Sequence, residues 1–98
     1  MAYIDTDLQM VEETGKKIVD EIVEVQKLIN TYYERLTEIP QTGEMQGNNA
    51  EFYCKSIRED KKNYMELTEA MKEIGEEMIR FANDADTEVR KIEKDLSN

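Results

Sequence analysis

The side chains in this sequence that could do chemistry are paired carboxylates, a single thiol and a set of tyrosines. Carboxylate catalysis needs two acids facing one substrate across a pocket. The pairs Glu12-Glu13 and Glu76-Glu77 are adjacent in sequence, and on a helix neighbouring side chains diverge. The stretch Asp84 to Glu88 has the acids of a calcium loop but lacks its loop residues and central glycine. Cys54 stands between Tyr53 and Lys55 with no base beside it, so it reads as a small packing residue, not an activated nucleophile. The chain contains no histidine, which excludes zinc hydrolysis, a histidine-based triad and the Glu-x-x-His di-iron motif. Tyr32, Tyr33, Tyr53 and Tyr64 read as packing residues with wet hydroxyls. The sequence therefore predicts a binding protein and not an enzyme, with no cofactor and no metal.

Charge narrows the partners. The formal net charge is −10, and it is shared: nine acidic and four basic residues up to Ile39, fourteen and nine from Pro40 onward. Nucleic-acid backbones and anionic membrane surfaces are bound by Lys and Arg displacing or attracting counter-charges, so both are poor partners for this chain. A single cysteine rules out an internal disulfide, and folding needs no oxidising compartment. The segment Met1 to Asp7 is acidic and lacks an apolar core, unlike a secretory signal. No apolar run approaches the roughly 20 residues that span a bilayer. Synthesis in the cytoplasm is expected, and any export would use no cleavable signal peptide.

The elements that position these residues are two helices. With 37% charged and 39% hydrophobic residues and one proline, the composition favours long helices in a single domain over residues 1–98. The expected order is a helix over 6–39, a turn over 40–47 and a helix over 48–96. In the first, Ile4, Leu8, Val11, Gly15, Ile18, Ile22, Val25, Ile29, Tyr32, Leu36 and Ile39 recur at alternating steps of four and three, which makes one seam. In the second, Tyr53, Ile57, Tyr64, Leu67, Met71, Ile74, Met78, Phe81, Ala85 and Ile92 form the seam, with Asp60 and Glu88 interrupting it. Asp5 and Thr6 are candidate caps for the first helix, and Asn48 or Asn49 for the second. Glu12 with Lys16, Glu13 with Lys17, Glu51 with Lys55 and Glu76 with Arg80 stand four apart, Glu first, as solvated helix faces favour. At 1.5 Å per residue the helices run roughly 50 and 70 Å, so the C-terminal end should overhang. Pro40 to Gly47 is short and carries two glycines, so the chain reverses there into an antiparallel hairpin.

Two helices bury one stripe each, and apolar or small side chains remain beside the seam. Val19, Val23 and Tyr33 do so on the first helix. On the second, Thr68, Gly75, Ala82, Val89 and Leu96 recur every seven residues, with Cys54 fourteen before Thr68. This small flank either widens the intramolecular seam or admits a second hairpin at close range. The second use makes it a partner interface and the assembly a four-helix bundle, formed with the chain's own copy or a relative.

The turn carries a motif with family meaning: Met45-Gln46-Gly47-Asn48-Asn49-Ala50-Glu51-Phe52-Tyr53. This resembles the WXG family of small proteins handled by type VII (ESX) secretion systems, which are helical hairpins of about this length with a Trp-x-Gly turn. Gly47, Ala50 and Tyr53 match that pattern, and Met45 stands where the family has Trp. An alternative register, Gln41-Thr42-Gly43, has no aromatic at the right place. The resemblance implies a secreted substrate, or a targeting and chaperone partner of a larger toxin. It would form a homodimer, or a heterodimer with a related hairpin or the toxin's N-terminal domain, and be presented to the secretion ATPase. The family's C-terminal export signal, an aromatic followed four places later by an acid, would fall on Ala82 and Asp86, with Phe81 one place early. Apart from the resemblance, the same residues fit an intracellular coiled-coil adaptor or structural hairpin.

Overall fold

The computed structural model describes the backbone of residues 2–39 and 47–97, with side chains from Thr6 onward. The fold is an all-α helical hairpin: helix α1 covers Ala2–Glu38 (37 residues) and helix α2 covers Asn48–Ser97 (50 residues), with no strand among the described residues. The stretch 40–46, with Pro40, Gly43 and Met45, lies outside the described residues.

α1 starts earlier than the sequence-based expectation, while α2 starts at the expected residue 48 but with a different cap. α1 begins at Ala2, so Asp5 and Thr6 sit inside it and not at its cap. No breaker separates Ala2 from Leu8, and a cap's preference of about 1 kcal/mol does not force a helix to begin where a capping residue stands. α2 is opened by Gly47, whose φ of 68° is left-handed and whose carbonyl accepts from the backbone N–H groups of Ala50 (3.2 Å) and Glu51 (3.3 Å). Asn48 and Asn49 are thereby the first helical residues, and the capping position falls to Gly47. At the other end of α1, Ile39 N–H donates back to the Leu36 carbonyl at 3.4 Å, tightening the last turn. The residue before a proline avoids helical geometry, which fits an end at Glu38. Charges suit the helix dipoles, with Glu51 in the first turn of α2, Lys94 in its last, and Arg35 in the last turn of α1.

Gly47 yields a direct prediction. A Cβ there would meet no neighbour within 4 Å, so the cost of Gly47→Ala is backbone strain alone. We expect a loss of about 1–2 kcal/mol, from the left-handed conformation. Gly47→Asn should lose less, because Asn tolerates that region. Thermal unfolding followed by circular dichroism measures both, and an alanine variant as stable as the parent would contradict the assigned geometry.

The chain divides into two compact units: Met1–Glu21 with Met71–Asn98, and Ile22–Ala70. In the first unit Gly15 faces Gly75, and Leu8 and Glu12 share a cleft with Ala82, Asp86 and Arg90. In the second unit Gln26 meets Thr68, and Tyr33 meets Tyr64. Within each unit, position numbers rise along α1 as they fall along α2, so each pairs its two helical segments antiparallel.

The inward line of α2 is not the one that its large apolar residues mark out. In the second unit the buried residues of α2 are Ile57 and Thr68, with Lys61 and Met65 half-buried between them. In the first unit they are Gly75 and Ala82, with Lys72, Ile79, Asp86 and Val89 half-buried on the same spacing. Tyr64 and Leu67 of the second unit, and Met71, Ile74, Phe81 and Ile92 of the first, are exposed. The face that packs is thus rotated from the expected seam towards the small residues.

Candidate interaction surface

Contact geometry in the first unit explains the rotation. A Cβ built on Gly15 would stand 2.6 Å from the Gly75 carbonyl oxygen and 3.0 Å from both Ile79 Cγ1 and Met78 Cβ. One built on Gly75 would stand 2.8 Å from the Gly15 carbonyl oxygen and 2.9 Å from Val19 Cγ2. The two backbones approach as only glycine allows. At that separation a line of Phe, Met and Ile has no room between the helices, whereas Gly75 and Ala82 (2% exposed) fit. Lys61 in its own unit, and Lys72 in the first, are half-buried on the inward line, which a long aliphatic stem with a wet ammonium tolerates.

The expected partner flank is therefore spent within the chain. Thr68, Gly75, Ala82 and Tyr33 are buried in their own units, Val19 packs on Gly75, and Val23 and Val89 are half-buried. Leu96 alone of that set stands open, at 80% exposure. Seven of the eight residues are thus buried or half-buried within the chain, and the large exposed apolar residues mark a different face.

In the second unit that face is concave. Val25, Leu28, Ile29, Tyr32, Tyr33 and Tyr64 line a groove of about 390 Å³, with Leu28 69% and Tyr32 58% exposed. Tyr33 forms its floor: its ring meets Tyr32 edge-on at 5.2 Å between centroids and Tyr64 at 6.3 Å. Behind it Gln26 Nε2 donates to Thr68 Oγ1 at 3.1 Å and to Glu69 Oε1 at 2.9 Å. Thr68 Oγ1 in turn donates to the Met65 carbonyl at 2.8 Å, so the buried hydroxyl is satisfied. In the first unit the open face belongs to α2, where Met71, Ile74 and Phe81 (62% exposed) stand on one side of the helix.

Burial raises the Tyr33 phenol above its usual 10.0, and the charges of Asp60 and then of ionised Tyr64 and Tyr32 raise it further. The folded chain thus keeps a proton that the unfolded chain gives up once the pH passes about 10. Stability from this group is intact below that pH and falls as pH rises through the folded value. We expect Tyr33→Phe to flatten the alkaline limb of the unfolding curve relative to the parent. Equal slopes in the two proteins would show that Tyr33 is not desolvated as described.

The candidate export residues are not brought together. Phe81 is exposed, Ala82 is buried, and Asp86 is half-buried and accepts from Arg90 Nε at 2.8 Å. Five residues along a helix separate Phe81 and Asp86 by about 140°, so they share no face. Asp86 and Arg90 instead line a polar cleft of about 270 Å³ with Leu8, Gln9, Glu12 and Ala82. Of the turn motif, Gly47 starts α2 and Ala50 and Tyr53 are half-buried, while Met45 lies outside the described residues.

Leu28 escaped the sequence reading because it lies off the alternating seam, although its spacing to Val25 and Tyr32 places all three on one side of α1. Cys54 is half-buried and unpaired with sulfur, as a packing thiol would be. Among the described residues no cluster of His, Cys, Asp and Glu could hold a metal ion, and no helix is long and apolar enough to cross a membrane. No family model, curated protein or solved structure matches the chain.

Proposed function

We propose that this chain is a small WXG-like protein of a type VII secretion system, acting by helix–helix binding and not by catalysis. It serves as a secreted substrate, or as the targeting and chaperone partner of a larger toxin. One observation carries the binding part: large apolar residues lie on open faces of both units, Leu28, Tyr32, Tyr64 and Leu67 in one and Met71, Ile74, Phe81 and Ile92 in the other, and the buried positions of the latter are the small Gly15, Gly75 and Ala82. The first unit, packed through Gly15, Gly75 and Ala82, gains little from burial, since hydrophobic stabilisation scales with apolar area removed from water. The area withheld from the interior is then available to a partner hairpin, which would complete a four-helix bundle. The type VII part rests on the two-helix layout and on Gly47, Ala50 and Tyr53 at the spacing of the family's turn.

In this reading the chain is made in the cytoplasm and leaves the cell without a cleavable signal peptide, with the secretion ATPase as its downstream partner. The test is its appearance in culture medium with and without that ATPase. ATPase-dependent release is the expected result for a substrate or co-exported partner. Retention inside the cell, with no helical toxin bound to it, would leave an intracellular coiled-coil adaptor as the better account.

A further inference from the structure

The open face of α2 in the first unit carries a feature that selects its occupant. Met71, Ile74, Met78, Phe81, Ala85, residue 88 and Ile92 follow one another at alternating steps of three and four, which is the spacing of a second coiled-coil seam. Residue 88 is Glu, it is exposed, and no ion pair among the described residues engages it. A carboxylate therefore interrupts the apolar stripe near its C-terminal end, between Ala85 and Ile92. On the outer side of the stripe the exposed charges are Glu73, Glu77 and Asp84 against Arg80 and Lys91.

This composition argues against a second copy of the chain as the occupant. A copy would bring its own Glu88 and its own acidic flank, and like charges brought together across an interface disfavour that pairing. A lone polar group in a coiled-coil seam lowers stability but fixes register and partner, provided the facing helix satisfies it. Left unpaired under an apolar helix, Glu88 would have to give up its hydration for nothing.

We propose that the Met71–Ile92 face of α2 docks a different helical protein, with a Lys or Arg in its apolar stripe opposite Glu88 and basic flanks. Glu88 then sets the register and the choice of partner. This rests on the reading that the chain pairs with another helical protein, but it does not need the secretion system. The binding experiment below can therefore fail while ATPase-dependent export stands, or the reverse.

The test is a charge swap on the full chain. The probes are three synthetic amphipathic helices of about four heptads with a Leu/Ile stripe and Lys flanks. They differ at one central stripe position, which is Lys, Leu or Glu. Binding is read by fluorescence anisotropy, with circular dichroism confirming that each protein variant is folded. For the parent chain we expect the Lys helix to bind at least about tenfold more tightly than the Glu helix, a preference that salt reduces. Glu88→Gln should erase most of that preference, and Glu88→Lys should reverse it. The same ranking of helices for all three proteins, or no binding of any helix, would overturn the proposal.

Discussion

Gly75→Leu should be among the most damaging single substitutions in this chain. The first atom of the new side chain would stand 2.8 Å from the Gly15 carbonyl oxygen and 2.9 Å from Val19 Cγ2. Val19 could turn, but the carbonyl is part of the α1 backbone and cannot move without moving the helix. Exchanging glycine for leucine in a helix gains up to about 1 kcal/mol in propensity. Overpacking a close contact costs about 1–3 kcal/mol, and more where backbone must shift. Steric cost wins, and it is large against the modest burial that holds this hairpin. We expect a fall in melting temperature of about 5–15 °C, at about 4–8 °C per kcal/mol for a domain of this size. Gly15→Leu should behave alike, because its Cβ would stand 2.6 Å from the Gly75 carbonyl oxygen. A melting temperature unchanged or raised in both variants would mean that the helices do not approach at these glycines.

The second large effect should fall on binding and spare the fold. Phe81 and Leu28 are 62% and 69% exposed, each on the open face of its own unit. Phe81→Glu or Leu28→Glu removes little from the isolated chain, and surface changes of this kind stay within about 0.5 kcal/mol. Buried under a partner, each is a candidate anchor whose loss costs about 2 kcal/mol or more, or roughly thirtyfold in affinity. The expected pattern is an unaltered thermal melt together with weakened partner binding and reduced export. Unfolding of either variant by itself would show that these side chains belong to the interior.

These predictions differ from what hydrophobicity alone suggests, and α2 shows why. Both helices were legible, since their apolar periodicity runs through the chain and only one proline interrupts it. Most of the α1 seam faces inward, with Gly15 and Ile22 buried and Leu8, Val11, Ile18, Ile29, Leu36 and Ile39 half-buried, but Val25 and Tyr32 are exposed. On the expected α2 seam Ile57 is buried and Tyr53, Met78 and Ala85 are half-buried, but Tyr64, Leu67, Met71, Ile74 and Phe81 are exposed. Periodicity gives the number of faces but not which face packs where two lie side by side. That choice is set by the distance between helices, which depends on a tertiary contact, Gly15 on Gly75. The sequence did hold a signal for it in the seven-residue recurrence of Thr68, Gly75 and Ala82, small residues that serve a close approach. Which helix makes that approach, α1 or a partner's, is not written in the recurrence itself.

The candidate interaction surface was legible only as a surplus. Apolar residues beyond the needs of two helices imply a partner, but of those assigned to it Tyr33, Thr68, Gly75 and Ala82 are buried in their own units. Leu28, off the seam, and the groove floor at Tyr33 required coordinates, because the groove depends on how Tyr32, Tyr33 and Tyr64 tilt against one another.

The central claim is that the chain works by burying its open apolar face on another helical protein. Native mass spectrometry of the tagged chain, gently isolated from cells that make it, tests this most directly. The account predicts a defined complex of the 11.5 kDa chain with one other helical protein, replaced by free chain when Phe81 is changed to Glu. Free chain from the parent protein, or a complex that Phe81→Glu leaves intact, would contradict it.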